Sequence, residues 1–221
     1  MNSASQNYHQ EIIYQNKDFV VVNKSVGISI HNLEDPINLI NILKGQLSIN
    51  DFFPVHRLDK ETSGIQIFAL NQENAAKFST EFQNQKTKKV YIGVLRGQIN
   101  NKVGLWDFPL TDKAEGRKNP EGLSQNRIPC YTDFEVIKSS KYFSLCKFDL
   151  QTGRQHQIRK HAAVAGHHLV GDQRYGDQKY NFKIADLYGQ ERMFLHCHQI
   201  QLLDFDFQCA VPPEFDTLFE S

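Results

Sequence analysis

Apolar residues recur along the chain in short alternating or continuous runs broken by polar turns. The segment EIIYQNKDFVVVNKSVG, Glu11 to Gly27, reads as two short strands with Asn16 to Asp18 as the turn between them. Pro36 to Ser48 carries Ile37, Ile40, Leu43 and Leu47 at helical spacing, with Pro36 at a tolerated first position. GIQIFAL, from Gly64, reads as a strand, and Asn71 is placed to cap a helix whose Ala75, Phe78 and Phe82 share a face. KKVYIGVLRG follows as a strand with Val90, Ile92 and Val94 on one side and Tyr91, Gly93 and Leu95 on the other. YTDFEVI, YFSLCKFDL and MFLHCHQIQLL read as further strands, and Thr152 to Gly166 as a loop entering a helix that ends at Gly166. Between them residues 111–127 are polar, with two glycines and a proline, and form either a mobile loop or a binding element. The mixture predicts an α+β protein with a mixed, mostly antiparallel sheet.

Composition narrows the picture only moderately. Hydrophobic residues make up 40% and charged residues 23% of the 221, ordinary for a globular chain with a real core. No apolar run approaches the roughly 18 residues that span a bilayer, and the polar opening MNSASQNYHQ lacks a secretory signal pattern. Cys130, Cys146, Cys197 and Cys209 are scattered without a CxxC, which favours free thiols in a cytoplasmic setting. Net charge is zero, yet Lys86 to Arg96 and Gln155 to His168 are locally basic and hold no acid. Such clusters bind phosphates when they gather on one face, and otherwise are solvated surface.

Three residues stand out as candidates for chemistry. Asp59, in HRLDKETSGI, sits in a polar turn before a strand and is either half of a surface ion pair or a carboxylate held for a reaction. Tyr91 either lines a cleft or is core with a satisfied hydroxyl. Arg159, in a helix with small neighbours one turn on, would want a carboxylate partner if buried, and Asp59 is a candidate for it. The histidines point to no metal site. His156 and His161 are five apart, which turns their rings to different faces, and no third ligand accompanies His196 and His198. GxGxxG, Walker and GxSxG motifs are lacking, so a nucleotide cofactor and a serine hydrolase have no foothold.

HRLDKETSGI resembles the HRLDxxTSG signature of the RluA-type RNA pseudouridine synthases. In order along the chain, VVNKSVGISIH is similar to their NKPxGxxVH segment, KKVYIGVLRG to the K-x-Y strand, and TGRQHQIRKH to TGRxHQIRxH. HHLVGDQRYGD resembles HPIxGDxxYG, and RMFLHCHQIQL resembles the R-x-x-LHA strand. Departures are Ser25 and His168 in place of prolines, and Cys130 and Cys197 where alanines are common; they bear on loop stiffness rather than on the catalytic trio.

The resemblance implies a bifurcated sheet with helices around it, a central active-site cleft, and one catalytic domain over residues 1–221 without an S4-like RNA-binding domain. It implies an isomerase that converts uridine to pseudouridine in ribosomal or transfer RNA, needing no metal or organic cofactor. A cytoplasmic setting is expected from the scattered cysteines, and a monomer is expected beside it. Asp59 corresponds to the essential aspartate, Tyr91 to the active-site tyrosine, and Arg159 to the basic residue that pairs with the aspartate. RNA contacts are expected at His56, Arg57, Lys86, Lys88, Lys89, Arg154 and His156. The rival expectation is a non-catalytic RNA-binding or ribosome-assembly protein on the same fold.

Overall fold

Asn16 closes the first hairpin through its own side chain. Its carbonyl accepts from the amides of Asp18 (2.8 Å) and Phe19 (2.9 Å), an Asx turn. The strands it joins, β1 (Glu11–Gln15) and β2 (Phe19–Lys24), pair antiparallel. β2 pairs in turn with β4 (Ser63–Ala69), which is buried along its whole length, and the two-residue β3 (Phe53–Pro54) runs against the end of β4. The computed structural model describes residues 8–32, 34–35 and 37–220. Its chain forms two compact units, residues 1–84 and 85–221.

The first unit also holds two helices. α1 spans Leu39–Leu47, and the expected start at Pro36 lies outside the described residues. Asn38 sets the observed start, accepting from the Asn41 amide at 3.0 Å. The buried face is therefore Leu39 and Leu43, while Ile37, which precedes the cap, is exposed. α2 (Gln72–Gln83) begins at the expected cap, Asn71 accepting from Asn74 at 2.8 Å. Its Phe78 is buried edge-on against Phe19, with ring centroids 5.3 Å apart.

In the second unit β5 (Lys88–Arg96) lies between β8 (Phe143–Leu150) and β9 (Leu195–Leu202). β8 continues to β7 (Thr132–Ser139) and then β6 (Val103–Trp106), and β10 (Phe205–Gln208) folds back on β9. Within each unit neighbouring strands run antiparallel, in line with the expected α+β architecture. Because β5 is central, both of its faces are buried, and Ile92 and Val94 join Phe143, Leu145, Val170 and Phe194 in a core. α4 (Gln178–Tyr188) covers that core with Ile184, and the short α5 (Glu214–Thr217) covers it with Phe215. Gly93 is required at the centre of β5: a Cβ there would lie 3.0 Å from Leu169, 3.1 Å from Phe148 and 3.2 Å from the Phe194 carbonyl.

β3, β6, β10, α4 and α5 were not among the sequence expectations. α4 did carry signals, since Asp177 caps it through the amides of Lys179 and Tyr180 and Gly189 ends it at φ +65°. The short strands carry none, because their existence depends on the partner they pair with. The helix expected before Gly166 is α3 (Gln157–Val164), and Gly166 follows it at φ +79°.

Candidate active site

The HRLDKETSG turn in the first unit is braced from both sides. Gln66, fully buried in β4, donates to the His56 carbonyl (2.8 Å) and accepts from the Leu58 amide (3.3 Å). His56 accepts from the Ile67 amide at 3.1 Å and stacks on Phe82 of α2, with ring centroids 4.8 Å apart. Beyond Asp59, the Thr62 amide closes the turn on the Asp59 carbonyl (3.1 Å). The Lys60 carbonyl accepts from Gly27 (2.8 Å) and from the ammonium of Lys24 (3.2 Å).

Lys24 is fully buried, and it also donates to the carbonyls of Ser25 (3.0 Å) and Ile28 (2.9 Å). A buried ammonium that donates to three carbonyls ties the NKSVG loop to the aspartate turn. Sequence reasoning did not single it out. Asp59 is half-buried, and its neighbours Arg57 and Lys60 are exposed. The serine that departs from the family's proline is used: the Ser25 amide donates to Gln10 Oε1 at 2.9 Å, a bond proline cannot make.

In the second unit Tyr91 sits on β5, opposite Phe148 of β8 and Cys197 of β9, and is buried. The β5–β9 register slips beside it. Val90 pairs with Gln199 but Tyr91 with Cys197, so His198 is an extra residue that re-aims the strand next to the tyrosine. Two residues before Tyr91, Lys89 has its stem buried, and its ammonium approaches Gly153, where a Cβ would lie 3.1 Å away. Burial lowers its pKa, opposed by nearby Cys197 and Asp149. Lys86 and Lys88 are exposed, the latter 3.6 Å from Asp149. Arg154 is half-buried, with its Nε buried and unpartnered.

Arg159 projects from the first turn of α3, almost wholly buried, and here the structure supplies a partner that the sequence reading did not name. Its Nε and Nη2 donate to Asp172 at 2.8 and 2.9 Å. The guanidinium carbon lies 5.4 Å from the centre of the Tyr175 ring, and the Tyr175 hydroxyl meets His156 Nδ1 at 3.0 Å. His156, the N-terminal flank of α3, holds a left-handed backbone at φ +56°. Burial alone would raise the Asp172 pKa, but the Arg159 bond and charge and the amides of Tyr175 and Arg174 hold it below the usual carboxylate range. The only hint in the sequence was the GDQRYGD run itself.

Residues 111–127 are tied down at several points. Lys160, fully buried beside Arg159, donates to the Thr111 carbonyl (2.6 Å) and lies 3.8 Å from Glu115. Arg174 donates to the Ala114 carbonyl (2.8 Å), and Arg117 pairs with Asp177 (2.9 Å). The Gln155 amide donates to Asp112 at 3.1 Å. Among the described residues there is no cluster of three or more metal-ligating side chains, and no helix is long and apolar enough to cross a membrane.

The fold is that of a pseudouridine synthase domain: the human protein RNA pseudouridylate synthase domain containing 1 superposes with a TM-score of 0.77 at 25% identity, over 97% of this chain and 87% of that one. The sequence profile described as RNA pseudouridylate synthase matches residues 18–164, and the chain belongs to that family. It is similar to the tRNA pseudouridine synthase C of Haemophilus ducreyi, 31% identical over 201 residues, which cover 84% of this chain and 82% of the relative. A Haemophilus influenzae protein named as an uncharacterized RNA pseudouridine synthase is 35% identical over 198 residues, 89% of this chain and 82% of its own. The protein is thus an isomerase acting on uridine in RNA.

Proposed function

We propose that the protein converts a uridine of transfer RNA to pseudouridine, with Asp59 as the essential carboxylate and Tyr91 and Arg159 as its catalytic partners. Similarity to enzymes named tRNA pseudouridine synthase C, over most of both chains, supports the choice of RNA. The observation that carries the role of Asp59 is the bracing of its turn by two buried side chains, Lys24 and Gln66. That bracing holds a carboxylate-bearing segment in one geometry, which catalysis by orientation requires.

The reaction breaks the bond between N1 and C1′ and forms one between C5 and C1′; C5 loses a proton and N1 gains one. Asp59 either attacks C1′ or abstracts the C2′ proton to give a glycal. A second carboxylate is unnecessary, since hydrolytic glycosidases use it to activate a water that here would release the base. Tyr91 stacks on the flipped uracil and takes up the C5 proton, directly or through water. Arg159 favours the ionised carboxylate. Flipping costs a few kcal/mol, offset by phosphate contacts from His56, Arg57, Lys86, Lys88, Lys89, Arg154 and His156. We place the activity in the cytoplasm, with residues 1–221 working as one catalytic domain, as a monomer and without a metal.

The test is tritium release from C5-labelled transfer and ribosomal RNA, wild type beside Asp59→Asn. Release from transfer RNA by wild type alone, with Asp59→Asn still binding RNA within a fewfold, is the expected result. Release confined to ribosomal RNA overturns the substrate, and full release by Asp59→Asn overturns the role of the carboxylate.

A further inference from the structure

A guanidinium that is 3% exposed has given up its water and must be compensated. Asp172 does this with a two-pronged contact, Oδ2 accepting from Nε and Oδ1 from Nη2, a geometry that fixes the plane of the fork as well as its position. The carboxylate is itself over-determined. Oδ1 accepts in addition from the amides of Arg174 (2.9 Å) and Tyr175 (3.1 Å), so the aspartate cannot rotate without breaking several bonds. Asn181 of α4 ties down the backbone around it, donating to the Asp172 carbonyl (2.8 Å) and accepting from the Gly171 amide (3.1 Å). Tyr175, fully buried, supplies the face against which the guanidinium rests.

A buried ion pair is by itself weak evidence for stability, because much of the attraction between two buried charges goes to offset their lost hydration. This one occupies one edge of the arginine fork with an immobile acceptor, and therefore sets the direction of the Nη1 edge. We propose that Asp172 is a positioning residue for the isomerisation: it touches no substrate and acts through Arg159, by fixing where that guanidinium points. The inference rests on the role given to Arg159 above.

A double-mutant cycle tests it, with kcat and KM for transfer RNA measured for wild type, Asp172→Asn, Arg159→Met and the double variant. Asp172→Asn keeps the size and removes the charge. It should lower kcat at least tenfold and leave KM within about threefold, because phosphate contacts are untouched. In the Arg159→Met background the same change should lower kcat no further, since Asp172 has nothing left to position. Thermal stability should move the other way, with the double variant more stable than Arg159→Met, whose Asp172 is stranded.

Ile184→Ala, a core change in the same unit, serves as the stability control: assayed well below its melting temperature, it should keep wild-type kcat. If Asp172→Asn does not fold, Asp172→Glu enters the cycle in its place. The inference is overturned by a kcat within twofold of wild type in Asp172→Asn. Equal kcat losses in the two backgrounds, or a loss matched by Ile184→Ala, also overturn it. Wild-type kcat in Arg159→Met would instead remove the role of Arg159 and this inference with it, and an enzyme inactive only on transfer RNA would bear on the substrate alone.

Discussion

Gly166 and Gly171 both adopt φ +79°, yet an added methyl group would meet nothing within 4 Å at the first and the Arg192 carbonyl at 1.8 Å at the second. Replacing each with alanine separates backbone strain from collision. Gly166→Ala bears only the left-handed penalty, about 1–2 kcal/mol. Gly171→Ala bears the same penalty and must also drive the Gly171 backbone from Arg192, which stretches the neighbouring Phe194 to Val170 bond (2.9 Å). The Asn181 contacts to Gly171 (3.1 Å) and Asp172 (2.8 Å) stretch with it. Three buried hydrogen bonds at about 1 kcal/mol each bring the total to roughly 4–5 kcal/mol. At about 2–4 °C per kcal/mol for a chain of this size, Gly166→Ala should lower the melting temperature by roughly 2–8 °C and Gly171→Ala by roughly 8–20 °C. Differential scanning calorimetry of the two variants side by side is the assay. Equal shifts would refute the reasoning, because the shared φ would then account for the whole effect.

Lys160→Met keeps the buried stem but strands the Thr111 carbonyl and removes the cation beside Glu115, which the Thr111 hydroxyl still holds at 2.9 Å. It should cost about 1–3 kcal/mol and speed tryptic cleavage at Lys113, Arg117 or Lys118; an unchanged cleavage rate would mean that the other ties suffice. His196 is buried, and burial together with the charges of Arg192 and His198 pushes its pKa down to about 3. The unfolded chain therefore takes up this proton first as pH falls. Its contribution is intact above pH ~6.5 and is lost at about 1.4 kcal/mol per unit below that. Denaturant melts from pH 7.5 to 5 should show the slope, and His196→Gln should flatten it. The Cys146 thiol is pushed up to about 12 by burial, so it should resist a thiol reagent at pH 8 until the protein unfolds; rapid labelling in the native state would contradict its burial.

Much of the local structure was legible because its causes are local. Asn16 makes its turn and Asn71 its cap with amides two or three residues away, and Gly166 ends α3 through its own backbone. The alternation in Lys88–Arg96 was sufficient for a strand but not for its place in the sheet. Whether one face or both is buried depends on β8 and β9, more than forty residues downstream. α1 shows a local misreading, since the apolar spacing included Ile37 while the capping side chain of Asn38 starts the helix after it.

The ordered motifs were enough to determine the family, because HRLDKETSG and TGRQHQIRKH are long, specific strings that survive without any knowledge of contacts. What they could not contain is which charges meet. Arg159 and Asp172 are thirteen residues apart, a separation that neither helix nor strand periodicity interprets, and they meet because Asn181 and Gly171 fold the intervening turn back on α3. Lys24 reaches Lys60 and Lys160 reaches Thr111 across still longer gaps. A buried ammonium or guanidinium takes whichever acceptors the packed chain leaves within about 3 Å, so the identity of each partner was decided by tertiary structure, while the need for a partner was already written in the residue.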